Sequence, residues 1–301
     1  MKVYLNRRPV SGPWGGGNKT VKALSDKLIK EGHEVFYDFN RPDFDIIFCV
    51  DPRPDSSGIW YQNFLNYKNQ FGSKIIQRVG DLGTHSKPEL FELVSQCLPH
   101  SDHIIFPSLW AKNLAKFSKN NYSIIQNRSI SLFHKFKKNN TPQSPVKIVT
   151  HHWSNNPKKG FDTYSFLDNN LNNDFEFTYI GRLPPDLNFK NSNHILPLSG
   201  EELAQEISKH DIYLTASKEE AGANHILEAM ACGLPVIYHD QGGSINEYVG
   251  NKGISFTSNS DLIAKINEVL SNFDLYKKRN IEYNDSIDQT IQEYYELICK
   301  I

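Results

Sequence analysis

Short apolar runs alternate with amphipathic stretches along almost the whole chain, and that alternation narrows the possible folds more than any other feature. The run KVYLN at 2–6 reads as a strand. A glycine-rich loop follows it, then a stretch at 19–32 with Val21, Leu24, Leu28 and Ile29 at helical spacing and Gly32 as its stop. Further strands are expected at 34–39, 45–50, 74–79, 103–108 and 122–127, with helices at 60–72, 88–98 and 109–117 between them. Residues 136–145, FKKNNTPQSP, are polar and contain two prolines, which marks a linker. The pattern then restarts. Strands are expected at 146–152, 175–181, 211–216, 235–240 and 253–256, and helices at 161–171, 200–210 and 224–232. Two closing helices follow at 260–273 and 286–301. Strands that alternate with helices form parallel sheets covered on both faces. The expected fold is therefore α/β, with two doubly wound Rossmann-like domains, 1–140 and 146–285, followed by a terminal helix at 286–301. In such sheets ligands bind beyond the carboxyl ends of the strands. This directs attention to an interdomain cleft and to the loops at 11–18, 151–160 and 216–224.

Composition removes several functional classes. The formal net charge is -1, so no global field favours nucleic acid or an anionic membrane. The basic run FHKFKKNN at 133–140 reads as a solvated linker. Cys49, Cys97, Cys232 and Cys299 are scattered without a Cys-x-x-Cys pair, and Cys49 and Cys232 sit in apolar runs as small core residues. The start MKVYLNRRPV lacks the apolar core of a secretory signal. No apolar run approaches the roughly 20 residues that span a bilayer. A cytoplasmic protein is expected, without a transmembrane segment, though peripheral membrane contact is compatible with the sequence.

Four stretches hold candidate chemistry. In SGPWGGGNK, Gly15, Gly16 and Gly17 lie between a strand and a helix, where backbone amides and a helix amino end favour an anion such as a diphosphate. A plain tight turn is the other reading. In THHWSNNPKKGFDTY, adjacent His151 and His152 point to opposite faces of a strand, which makes them a poor chelating pair even with His85. Lys158 or Lys159, at a helix start, suits a phosphate as a point charge, and a solvated lysine is the alternative. In QRVGDLGTH, Arg78, Asp81 and His85 end a strand. The carboxylate and the imidazole are candidates to polarise a hydroxyl, against a role for Asp81 in the turn.

The fourth stretch is ASKEEAGANHILEAMACGLPVIYHDQGG at 216–243. Asn224 is placed to cap a helix that Gly233 ends, with Glu228 one turn inside it and Glu220 in the loop before it. Carboxylates only accept hydrogen bonds, so their natural partners are hydroxyls. Two carboxylates flanking exposed amides suit a ligand with hydroxyls at both ends and phosphates between, the form of a nucleotide sugar. A helix-dipole residue and a surface charge are the alternative.

This last stretch resembles the donor-binding signature of retaining glycosyltransferases of family 4. Glu220, Glu228, Gly233, Pro235, Gly242, Gly243 and Glu247 match it in register. GPWGGGNKTVKALSDKLIKEGHEV resembles the family's glycine loop and first helix, and NPKKGFDTY its Lys-Gly element. The resemblance implies a GT-B fold whose final helix, 286–301, packs back on the first domain. It implies a metal-independent transfer, with retention of configuration, from a nucleotide-diphosphate sugar to a hydroxyl of a glycan or glycoconjugate, with no cofactor. Glu228 would bind the ribose. Glu220 would meet the sugar near the reacting carbon. The amides of Gly222, Ala223 and Asn224, with Lys159, would hold the diphosphate, and Gly16 and Gly17 would approach from the other side. Asp81 and His85 are the acceptor-side candidates. Two departures stand out. THHWSNN replaces the family's usual Gly-Arg, so Ser154 or a histidine takes the arginine's place, and Ala-Gly-Ala at 221–223 replaces a usual Phe-Gly. A nucleotide-sugar epimerase or phosphorylase on the same scaffold, or a non-catalytic nucleotide-sugar-binding protein, remain alternatives.

Overall fold

The computed structural model describes residues 1–10, 16–139 and 141–301. The loop residues 11–15, Gly15 among them, and residue 140 lie outside the description. Contacts divide the chain into two compact units, one of residues 1–127 with 287–301 and one of residues 128–286.

The first unit is built on a six-stranded sheet. Its elements run β1 (Lys2–Leu5), α1 (Gly16–Lys30), β2 (Glu34–Phe36), β3 (Ile46–Cys49), α2 (Tyr61–Phe71), β4 (Lys74–Arg78), α3 (Pro88–Cys97), β5 (His103–Phe106), α4 (Leu109–Leu114) and β6 (Tyr122–Ile124). The strand order is β2-β1-β3-β4-β5-β6, and every pairing is parallel. Buried strands such as β3, IIFC, are apolar on both faces because helices cover both. Chain order reverses between β1 and β3, which makes the gap beside Leu5 and Cys49 this sheet's switch point.

The second unit repeats the plan. It contains β7 (Val146–His152), α5 (Phe161–Asn170), β8 (Phe175–Gly181), β9 (Asn193–Ile195), α6 (Gly200–Ser208), β10 (Ile212–Thr215), α7 (Asn224–Ala231), β11 (Val236–His239), α8 (Ser244–Val249), β12 (Gly253–Phe256), α9 (Asn259–Ser271) and α10 (Phe273–Ile281). Its strand order is β12-β11-β10-β7-β8-β9, again all parallel. The switch point lies between β7 and β10. One face is filled by α6, α7 and α8 around Ile226, Met230 and Ile245, and the other by α5 and α9 around Tyr164, Leu167 and Leu262.

The last helix, α11 (Ile287–Lys300), returns to the first unit and packs on α1. Ile287, Thr290, Ile291, Tyr294 and Ile298 form its buried stripe. Arg78, at the end of β4, holds it there. Its buried guanidinium donates to the Tyr294 hydroxyl at 3.0 Å and to Asn127 Oδ1 at 3.1 Å. Thr290 donates to the Gln126 carbonyl at 2.8 Å.

The structure departs from the sequence expectations in several places. The division near 140 falls instead between 127 and 128, because Phe133 of the basic run is fully buried in the second unit's core. The 34–39 strand stops at Phe36, where the next residues leave the sheet so that Phe39 can pack on Tyr4 and Phe64. The short edge strand β9, the helix α8 and the separate helix α10 were not among the expected elements. Cys49 and Cys232 are fully buried, as expected. No helix among the described residues is long and apolar enough to cross a membrane.

Candidate functional site

At the carboxyl ends of β7 and β10, three loops of the second unit are laced together. Lys218 N donates to the Lys158 carbonyl at 2.9 Å, joining the loop after β10 to the loop after β7. Glu219 N donates to Gln241 O at 2.9 Å, Glu220 N to Gly242 O at 3.2 Å and Ser244 N back to Glu220 O at 2.9 Å. These bonds tie the same loop to the one after β11. Glu219 sits in the left-handed region at φ 54°, a costly conformation for a side-chain-bearing residue. Backbone bonds on both sides of it and an ion pair from Lys158 hold it there. Gly160 is needed where the loop after β7 enters α5. It has φ +82° and a Cβ there would lie 2.4 Å from Ala216 Cβ.

This lacing orients two carboxylates. Glu220 pairs with Lys159 Nζ at 2.5 Å, with the two side chains only 14% and 12% exposed. Glu228 is buried within α7 and accepts from His151 Nε2 at 2.9 Å. His151 Nδ1 lies 3.1 Å from the Tyr213 hydroxyl, which also accepts from the His151 amide at 3.2 Å. His152 points to the opposite face, as strand geometry requires, where its Nε2 lies 2.7 Å from the Tyr164 hydroxyl. Tyr164 in turn accepts from Ala216 N at 3.0 Å. Burial pushes the Tyr164 hydroxyl up to about 12 and that of Tyr213 well above its ordinary value, so both remain protonated donors at neutral pH.

The amino end of α7 lies between the two carboxylates. Asn224 does not cap it. The cap position is Ala223, without a side-chain cap, and Asn224 is the first helical residue, its amide turned to the Gly222 carbonyl at 3.4 Å. The Ser244 hydroxyl takes the Ala223 N–H at 3.2 Å and ties the entry to the helix to another loop. Gly233 ends α7 as expected, at φ +82°. His225, in the first turn, meets the Thr215 hydroxyl at 3.0 Å and packs edge-on against His152. Burial pulls its value down to about 3, so the ring is neutral.

Of the other candidates, Ser154 belongs to the second unit and Asp81, His85, Gly16 and Gly17 to the first. Ser154 Oγ accepts from Asn156 N at 3.1 Å and so stabilises the turn leading to Lys159. Asp81 is engaged in the first unit. It accepts from Gly83 N at 2.8 Å and pairs with Lys87 at 2.7 Å, the turn role rather than an open carboxylate. His85 stands half-buried in the same loop. Gly16 and Gly17 open α1, and a Cβ at Gly17 would meet nothing within 4 Å. Among the described residues no three His, Cys, Asp or Glu side chains form a metal-binding group.

Several participants were not singled out in the sequence. Tyr213, Tyr164, Thr215, His225 and Ser244 all act through partners distant in sequence. Arg182, just after β8, stacks its guanidinium 3.9 Å from the Trp153 ring centre. At the first unit's switch point Arg53 grips Asp51 at 2.7 Å, and Asn6 Oδ1 accepts from Val50 N at 2.6 Å.

Two parallel six-stranded sheets, with cations and carboxylates gathered at a switch point beside a helix amino end, define the GT-B class of α/β protein. Within that class, residues 164–272, all in the second unit, match the family described as glycosyl transferases group 1. No curated protein sequence matches the chain. Solved structures resemble it along its whole length. Sucrose-phosphate synthase from Thermosynechococcus elongatus superposes with a TM-score of 0.73 at 13% identity, covering 100% of this chain and 98% of that one. HepE of Anabaena in complex with UDP-glucose gives 0.69 at 13% identity, covering 100% and 99%. The lipopolysaccharide outer core galactosyltransferase WaaB gives 0.68 at 15% identity, covering 100% of each chain.

Proposed function

We propose that the chain is a retaining, metal-independent glycosyltransferase that takes its sugar from a nucleotide-diphosphate sugar. The observation that carries this reading is the placement of Glu220 and Glu228 on either side of the α7 amino end, with Lys159 beside Glu220. In this reading Glu228 accepts from the ribose hydroxyls and Glu220 from sugar hydroxyls near the reacting carbon. Lys159 and the amides of Gly222 and Asn224 face the diphosphate, whereas the Ala223 amide, also expected there, is taken by the Ser244 hydroxyl. Helix-end amides and an ammonium stabilise the leaving diphosphate where a metal would otherwise serve. Ser154 sets the turn that presents Lys159. Asp81, bonded to its turn and to Lys87, remains an acceptor-side candidate of the first unit. His85, Gly16 and Gly17 belong to the acceptor-side unit. HepE, solved with UDP-glucose, makes a uridine diphosphate sugar the first donor to test.

The test is binding and breakdown of UDP-, GDP- and ADP-glucose, measured by thermal shift and by release of nucleotide with and without added chelator. One donor is expected to stabilise the protein and to be consumed equally with chelator present. Glu228→Ala is expected to weaken donor binding, and Glu220→Ala to reduce turnover more than binding. Full affinity and turnover in both variants would overturn the reading.

A further inference from the structure

We infer that His151 is a positioning residue for Glu228, and that the Tyr213 hydroxyl sets the tautomer in which it works. The inference rests on the proposed ribose-binding role of Glu228 and deepens it.

The argument is one of hydrogen-bond accounting. Glu228 Oε2 lies 2.9 Å from His151 Nε2, and a carboxylate oxygen only accepts, so Nε2 carries the proton. A neutral imidazole then has a bare Nδ1 that needs a donor. The Tyr213 hydroxyl, 3.1 Å away, is that donor, the shorter of its two acceptors being Nδ1 and the longer the His151 carbonyl at 3.4 Å, and its oxygen accepts from the His151 backbone amide. Burial keeps the phenol protonated. The opposite tautomer would turn a lone pair toward the carboxylate. Both His151 and Glu228 are buried, at 7% and 8% exposure, so this bond bears on the carboxylate's direction with little competition from water. The chain Tyr213, His151, Glu228 therefore crosses from β10 to β7 to α7 and orients a carboxylate on the third element from a hydroxyl on the first. Outer partners of this kind hold ligating groups in geometry.

A positioning role makes a prediction that simple packing does not. It concerns recognition of the ribose hydroxyls alone. Isothermal titration of the full chain with uridine and guanosine diphosphates, and with their 2′,3′-dideoxy counterparts, reads that recognition as a preference ratio for the tighter-binding base. The wild type is expected to prefer the ribonucleotide by about tenfold or more, the scale of a hydrogen bond to a charged group. Glu228→Gln and His151→Leu should both lose most of that preference while binding the dideoxy compound as the wild type does. His151→Gln keeps an N–H near the Nε2 position and should retain the preference. Tyr213→Phe should reduce it while leaving the ring packed. Retained preference in a folded His151→Leu, or lost preference in a folded His151→Gln, would overturn the inference. In either case Glu228 keeps its ribose role if Glu228→Gln loses the preference. If His151→Leu does not fold, Tyr213→Phe and His151→Gln decide. An unchanged ratio in Glu228→Gln, or no affinity of the wild type for either diphosphate, would remove the ribose reading and the inference with it.

Discussion

The Lys159 ammonium sits 2.5 Å from the Glu220 carboxylate, across 61 residues of sequence, with both side chains largely out of water. Removing one partner leaves the other charge buried and poorly compensated. Lys159→Met is therefore expected to destabilise the second unit by about 3 kcal/mol. Lys159→Met with Glu220→Gln should cost less than the sum of the two single changes. Urea unfolding of the four proteins measures the coupling. Strict additivity would show that the pair contributes nothing.

Gly160 and Gly72 allow a controlled comparison. Both have left-handed backbone, at φ +82° and +80°, but a Cβ at Gly72 would meet nothing within 4 Å while one at Gly160 would strike Ala216. Gly72→Ala should cost about 1 kcal/mol from backbone strain alone. Gly160→Ala should cost at least about 1 kcal/mol more, because the corner that carries Lys159 must shift. The contrast appears in melting midpoints, and only Gly160→Ala should also weaken donor binding.

His225 makes stability fall in acid. Its ring is neutral in the fold down to about pH 3, whereas in the unfolded chain it takes up a proton below about 6.5. The stabilisation is complete above pH 6.5 and is lost as the pH falls from there towards 3. The slope is at most about 1.4 kcal/mol per pH unit, less because the ring is partly open to solvent. Burial pulls His33, His103, His134, His210 and His239 in the same direction. His225→Asn should therefore make the acid limb shallower without removing it. Denaturant midpoints from pH 4 to 8 test this, and parallel curves would refute it.

Arg78 joins β4 to α11 through Tyr294 and Asn127. Arg78→Met should cost about 2 kcal/mol by removing the buried donor that Tyr294 and Asn127 share. It should also speed amide exchange in 287–300 more than elsewhere. Uniform acceleration across the chain would mean that the helix is held by its apolar stripe alone.

The alternation of strands and helices was legible because buried parallel strands such as IIFC and amphipathic helices such as α11 carry different periods. The placement of Glu220 in the loop before α7 and of Glu228 inside the helix was legible from the sequence. Their partners were not. His151 lies 77 residues from Glu228 and Lys159 lies 61 from Glu220, and local pattern holds no record of which distant strand end a fold brings near. For Asn224 the residue type favours a cap, but the helix begins one residue earlier than that reading, with Ala223 at the cap position and Asn224 already helical. Asp81 illustrates the converse, since the turn reading of a carboxylate two residues before a glycine needed only local sequence, and Gly83 N does donate to it.

The return of α11 to the first sheet also fixes an order of events. The second unit, 128–286, is contiguous and has its whole core once residue 286 has emerged from the ribosome. The first unit begins earlier but waits. Until Tyr294 arrives, Arg78 lacks one of its two partners and α1 has a bare flank. The half synthesised first is thus the half that finishes last, and during that interval its unfinished surface depends on whatever shields nascent chains in the cell.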